Sequence, residues 1–149
     1  MNPSELLDQY LNENFRLQLA TVHDGRPWIC TVYYLADSER NLYWASLPSR
    51  QHSQDIDTNP RVAAAILVRG VIGEPVIGIQ AEGAAKKLEP SMYPPSIVEK
   101  YATKFKRGSD WVRDFIAGKT EHRLYELTPS ALYLFDEEHF PGGQRQKIL

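Results

Sequence analysis

The sequence predicts an all-β domain with small flanking helices, its six or seven mostly antiparallel strands closed into a barrel. Three observations predict it. Between Phe15 and Leu88 lie short runs rich in β-branched and aromatic residues, several alternating apolar with polar positions. Turn residues separate these runs, and the pair Asp24-Gly25 is the plainest hairpin signal among them. A chain with so many strands and so few helices would expose sheet edges, and closure removes them.

Each element has its own reason. Asn2 can cap a first helix, Pro3 suits its first position and Glu5 completes a capping box. Leu6, Leu7, Tyr10 and Leu11 then form one apolar stripe. Phe15 to Val22 reads as a strand, His23 to Pro27 as a turn, and Trp28 to Leu35 as a second strand. Leu42 to Ala45 is a short third strand after the polar turn Asp37 to Asn41. Arg61 to Val68 is a compact apolar run, expected to be buried on both faces. Val76 to Leu88 alternates again, and Gly83 marks a bulge or a close backbone approach.

Helical spacing returns after Pro94 and Pro95, at Ile97, Val98, Tyr101 and Phe105. Ser109 is placed to cap a further helix holding Trp111, Val112, Phe115 and Ile116, which Gly118 would end. Glu121 to Thr128 and Ala131 to Phe135 are read as two strands around Pro129. The tail from His139 is glycine-rich and basic.

Composition narrows the function classes. The 149 residues suit one domain, spanning residues 1–149, and 42% hydrophobic with 24% charged is ordinary for a globular protein. A net charge of −2 gives no field for nucleic acid or an anionic membrane. No apolar run is long enough to span a bilayer, and no leader-like segment stands at the start, so a cytoplasmic location is expected. Cys30 is alone and reads as a buried filler. His23, His52, His122 and His139 lack ligand spacing, so no metal is expected. There is no nucleophile elbow, no Gly-x-Gly-x-x-Gly and no Walker-type phosphate loop.

The most informative stretch is LYWASLPSRQHSQDIDTNPRVAAAI, Leu42 to Ile66, which reads strand, turn, helix, turn, strand. Ser46, Ser49, Arg50, Gln51 and His52 gather where the helix presents free N–H groups, a setting that suits a phosphate. Arg50 can grip a phosphate with two charge-assisted hydrogen bonds, or be a solvated surface arginine. Ser49 can donate to the phosphate or serve as an ordinary N-cap. His52 can add a donor or be structural, and its proton affinity should rise beside a phosphate. Gln80, polar within an apolar strand, points to a hydrogen-bonding role. Trp111 can stack on a ligand or pack in a helical stripe.

With these residues in view, the chain resembles the FMN-binding split-barrel superfamily around pyridoxamine 5′-phosphate oxidase. LQLATVHDGRPWICTVYYL is similar to its opening hairpin. The Leu42–Ile66 stretch is similar to its third strand, phosphate loop, helix and Asn-Pro-x-Val connection, with His52 eight residues before Pro60. VIGIQAEGAAKKL is similar to the following strand. Within that group, the tail PGGQRQKI resembles that of a small bacterial family. The resemblance implies a Greek-key split barrel and a homodimer with FMN at the subunit interface, acting on a small-molecule substrate. It implies a phosphate loop of Ser49, Arg50, Gln51 and His52, and a second-strand wall of Thr31, Val32 and Tyr33 using main-chain atoms. Ser46 is implied on the third strand, Gln80 facing the ring, and Trp111 stacking across the interface.

The oxidase itself carries an arginine and a lysine around its second strand and an arginine–histidine pair near its end. Trp28 to Tyr34 holds no basic residue, and only Arg145 and Lys147 stand in the tail. Oxidation of pyridoxamine 5′-phosphate is therefore not expected. The reading is a flavin-dependent oxidoreductase without an assigned catalytic residue. Alternatives are a protein binding deazaflavin F420 or haem in the same groove, a non-catalytic flavin carrier or sensor, and a cofactor-free binding barrel.

Overall fold

Local signals at the amino-terminus are realised as the residues predict. A computed structural model describes residues 1–149. The Asn2 side chain accepts from the Glu5 N–H at 2.8 Å, and the Glu5 carboxylate accepts from the Asn2 N–H at 3.0 Å. The helix α1 (Pro3–Glu13) that this box opens buries Leu6, Leu7, Tyr10 and Leu11. Strands β1 (Arg16–His23) and β2 (Arg26–Tyr33) follow, joined by Asp24 and Gly25 with φ of 49° and 74°. Positive φ at both central residues makes the tight turn whose twist suits a hairpin.

The remaining elements are β3 (Leu35–Ala36), β4 (Leu42–Ser46), α2 (Gln51–Thr58), β5 (Arg61–Arg69), β6 (Ile77–Lys87), a helical turn at Pro90–Met92, α3 (Pro95–Lys104), α4 (Ser109–Ile116), β7 (Arg123–Asp136) and β8 (Gln146–Lys147). The strands form one antiparallel sheet in the order β2-β1-β5-β6-β7-β4-β3, with β8 added to β7. Its two ends, β2 and β3, are separated in sequence by Tyr34 alone. One residue cannot cross a flat sheet, so the sheet curls until its ends meet. Tyr34 is fully buried at that seam, its hydroxyl donating to the Leu11 carbonyl at 2.8 Å. Inside lies one core of 22 buried residues, into which α1 delivers its stripe.

Three expectations change. Glu121–Thr128 and Ala131–Phe135 are one continuous strand, β7. Pro129 is tolerated because the β6–β7 register shifts beside Gly83, where the ladder is already interrupted. A Cβ on Gly83 would lie 2.2 Å from the Thr128 carbonyl oxygen, so the bulge needs glycine. The Arg61–Val68 run is not buried on both faces: Val62, Ala64 and Ile66 face inward, while Ala63, Ala65 and Leu67 are exposed. Alanines on the outward face hid this alternation. Ser109 does not cap α4; Gly108 takes that position and Ser109 begins the helix.

Helices α3 and α4 pack on a second, smaller core of Tyr43, Leu88, Tyr93, Ile97, Val98, Phe115 and Leu124, outside the barrel. Both helices end alike. Gly118, at φ 71°, donates to the Phe115 carbonyl and Lys119 to Asp114, so Gly118 stops α4 as the sequence predicts. Lys106, at φ 56°, donates to Thr103, and Arg107 to Ala102, so α3 ends in the same way with a lysine where glycine is usual. No helix is long and apolar enough to cross a membrane.

Candidate functional site

A cleft of about 480 Å³ lies between the free edge of β2 and the α3–α4 pair, within the range of about 300–1,000 Å³ that small-molecule sites occupy. Thr31, Val32 and Tyr33 form one wall. Ala45, Ser46 and Leu47 at the end of β4, with Arg50 and His52 of the α2 start, form the floor. Tyr101, Arg107 and Trp111 form a roof, and His122 closes the far side.

The floor follows from local backbone. After Ser46 the chain turns through Leu47-Pro48-Ser49, with the Arg50 N–H donating to the Leu47 carbonyl at 3.1 Å, and α2 begins. Ser49 is not its N-cap. Arg50 holds that position, and no side chain caps the helix. The first N–H to find an intrahelical partner is that of Gln54, which donates to Arg50. The N–H groups of Gln51, His52 and Ser53 are therefore left without an acceptor, and the first turn carries no acidic residue. Such a terminus carries partial positive charge.

The side chains sharpen that charge. Two arginines and two histidines line the cleft, and no carboxylate does. Neither Arg50 nor Arg107 forms an ion pair. His52 is buried, its Nε2 2.9 Å from the Ser46 Oγ. Burial first, and then the neighbouring Arg50 charge, hold its imidazole below the ordinary histidine value. The Gln51 side chain turns away, donating to Asp55 at 2.7 Å, so only its N–H serves the terminus. Asp55 is itself buried and accepts from the Thr21 hydroxyl at 2.7 Å.

The wall offers main-chain atoms. Strand β2 is paired only by β1, so about half of its N–H and C=O groups, those on its outer side, lack strand partners. The side chains of Thr31 and Tyr33 are engaged elsewhere. Thr31 donates to Gln18 at 2.8 Å, and the Tyr33 ring stacks on Phe105 at 5.7 Å. In the roof, Trp111 stacks between Tyr101 at 6.0 Å and Phe115 at 4.6 Å, so it packs with the helical aromatics as one reading expects, and it also lines the cleft. The Tyr101 hydroxyl lies 3.5 Å from the Tyr33 carbonyl oxygen, and burial raises its pKa.

Of the expected residues, Thr31, Val32, Tyr33, Ser46, Arg50, His52 and Trp111 come together here. Ser49 and Gln51 flank the site without lining it. Gln80 stands on the outer face of β6, outside this cleft, accepting from Arg145 at 2.9 Å. Tyr101, Arg107 and His122 join the site without a local signal. Only the folding of α3, α4 and the β7 start onto the β4 end brings them in. Burial pushes the Cys30 thiol up to about 11, in keeping with an inert filler. No group of three metal-ligating side chains exists.

Solved structures share this architecture at 16–18% identity, a level that speaks to fold alone. The haem storage protein HutZ of Vibrio cholerae matches with a TM-score of 0.72 at 18% identity, over 90% of this chain and 95% of its own. General Stress Protein 26 of Bacillus anthracis matches at 0.68 and 17%, over 99% and 100%. An FAD-binding protein of Mesorhizobium loti matches at 0.62 and 18%, over 89% and 92%. No curated protein matches the sequence. The family model described as pyridoxamine 5′-phosphate oxidase matches residues 4–136, which takes in strands β1 to β7 and every residue of the cleft. The chain belongs to the pyridoxamine 5′-phosphate oxidase-like family of split barrels.

Proposed function

We propose that this chain is a cytoplasmic flavoprotein that binds FMN in the cleft and serves as a flavin-dependent oxidoreductase on a small molecule. The uncapped start of α2 is the observation that carries this reading. Three free N–H groups, an unpaired arginine and no carboxylate converge there. The residues fit an FMN phosphate in charge and a flavin's polar edge in the free main chain of β2. Arg50 grips the phosphate, the N–H groups of Gln51 and His52 complete its cradle, and Ser46 fixes the His52 ring. Tyr101 and Trp111 supply an aromatic flank. Bound FMN supplies the electron chemistry, and the protein positions it and excludes water.

The active form in this reading is a homodimer. The outer face of β1, β2, β5 and β6 exposes Ile29, Tyr33 and Leu67 around the small Ala63 and Ala65. A second copy laid on that face would cover them and bring a partner surface, with its own copies of Gln80 and Arg145, toward the cleft's open side. The FAD-binding neighbour agrees with a flavin, whereas HutZ stores haem.

A visible spectrum of purified protein titrated with FMN tests the reading. Saturable flavin bands are expected, and Arg50→Ala should weaken the dissociation constant about tenfold to a hundredfold, the loss of one charged hydrogen-bonded contact. Failure to take up FMN, with a haem spectrum on adding haemin, overturns it. Sedimentation at micromolar concentration should give twice the chain mass.

A further inference from the structure

The α3–α4 pair has a base and a tip. Its base is fixed by the small outer core, where Tyr93 stacks on Phe115 at 4.9 Å and its hydroxyl accepts from the Leu124 N–H at 3.1 Å. Pro94 precedes the pair, Pro95 opens it and Gly118 follows it, so both chain ends leave at the base. The tip is the turn Phe105–Gly108, which carries Arg107 over the cleft. This core holds 7 buried residues against 22 in the barrel. A small satellite cluster opens locally at lower cost than a main core.

Two side chains of α3 hydrogen-bond to the barrel: Tyr101, through the long 3.5 Å contact to the Tyr33 carbonyl, and Lys104, nearer the tip. Lys104, in the last turn of α3, donates its Nζ to the Asn14 carbonyl at 2.6 Å and to the Tyr34 carbonyl at 3.0 Å. The same nitrogen stands 4.7 Å from the centre of the Tyr34 ring. Asn14 ends α1, and Tyr34 is the seam residue between the two ends of the sheet. Lys104 makes no ion pair, so these carbonyls and that ring are its partners. The stacking of Phe105 on the exposed Tyr33 ring adds a further hold at the tip.

We propose that α3–α4 is a lid over the cleft, hinged at Pro94 and Gly118, and that the Lys104 amino group latches it to the barrel seam. Closed, the lid presents Tyr101, Arg107 and Trp111 to a ligand. Lifted at the tip, it withdraws all three together and widens the gap along β2. That the cleft takes a ligand is the reading argued above, but the latch itself is testable without one.

Amide hydrogen exchange on the full chain reads it. Lys104→Met keeps the aliphatic stem and removes the donors, while Lys104→Arg keeps charge and donors. The methionine variant should speed exchange across residues 95–117 about tenfold, the effect of losing a half-buried donor to two carbonyls, with β5 and β6 unchanged. The arginine variant should stay within about twofold of the parent. Unchanged exchange in 95–117, or an equal rise throughout the barrel, overturns the latch. If FMN binds, the methionine variant should also raise its association and dissociation rates together. If FMN does not bind at all, the exchange result stands alone and only the flavin reading falls.

Discussion

The Ser46 hydroxyl lies 2.9 Å from the His52 Nε2 on the cleft floor, and both side chains are buried. With its pKa held down by burial and by Arg50, the ring is neutral at neutral pH. An anion beside it reverses the balance, since a nearby negative charge favours the charged imidazole. The His52 midpoint, followed by NMR, should therefore rise when FMN or inorganic phosphate is added. Binding should take up protons and tighten as pH falls. A midpoint that saturating FMN leaves in place would remove the phosphate from this corner. For stability the sign is opposite in the free protein. A depressed folded pKa gives stability that is present above the unfolded value and lost as pH falls through the folded one. His52→Gln should flatten that acid-side loss.

Arg50 and Arg107 stand on opposite walls, one on the α2 floor and one on the lid. Replacing Arg50 by alanine should weaken FMN but leave riboflavin binding, which lacks the phosphate, nearly unchanged. Equal losses for both ligands would place Arg50 away from the phosphate.

Gly83 is the packing point of the β6–β7 bulge. Gly83→Ala sets a methyl 2.2 Å from the Thr128 oxygen and 2.9 Å from the Pro129 Cα, both main-chain atoms. Backbone must move, and overpacking of this kind costs about 1–3 kcal/mol. Urea unfolding should show a loss at or above the upper end of that range.

Lys106 sits in the left-handed region at the end of α3. That conformation costs a non-glycine residue about 1–2 kcal/mol, and glycine returns about 0.4–1 kcal/mol of that through its freer unfolded chain. Lys106→Gly should therefore stabilise the fold by about 0.5–1 kcal/mol. A lower urea midpoint would mean that the lysine side chain does something the turn geometry does not require.

Burial lowers Lys104 to about 8 from 10.5. The closed lid thus favours the neutral amine, which still donates two hydrogen bonds. By linkage, wild-type stability should rise relative to Lys104→Arg as pH climbs from about 8 to 10.5, because only the lysine can shed its proton. Parallel stability curves for the two proteins over that window would show that Lys104 is not desolvated.

Much of the barrel was legible because its signals are local. The Asn2–Glu5 box, the Asp24-Gly25 turn, Gly118 and the Gly83 bulge each act within a few residues or through one glycine. The continuity of β7 was not legible, since Pro129 breaks a strand by itself and is accepted only where β6 shifts register. Half of the site shared that fate. The Ser46–His52 segment is contiguous and carries its own helix start. Tyr101, Arg107 and His122 come from distant segments, and no local pattern marks an arginine whose importance is having no carboxylate nearby. Ser49 misled for a simple reason: a serine before a helix is a good cap, and here the helix begins one residue too late to use it.

The seam at Tyr34 has a consequence for how this molecule can vary. Because a single residue spans from the first ribbon of the sheet to the last, that position acts like the buckle of a hoop. Added length there would slacken the whole circumference at once, whereas the exposed Gly70–Pro75 bend can lengthen without disturbing any neighbour. Insertions that diversify this scaffold belong at the bend, and the buckle is where the chain has no slack to give.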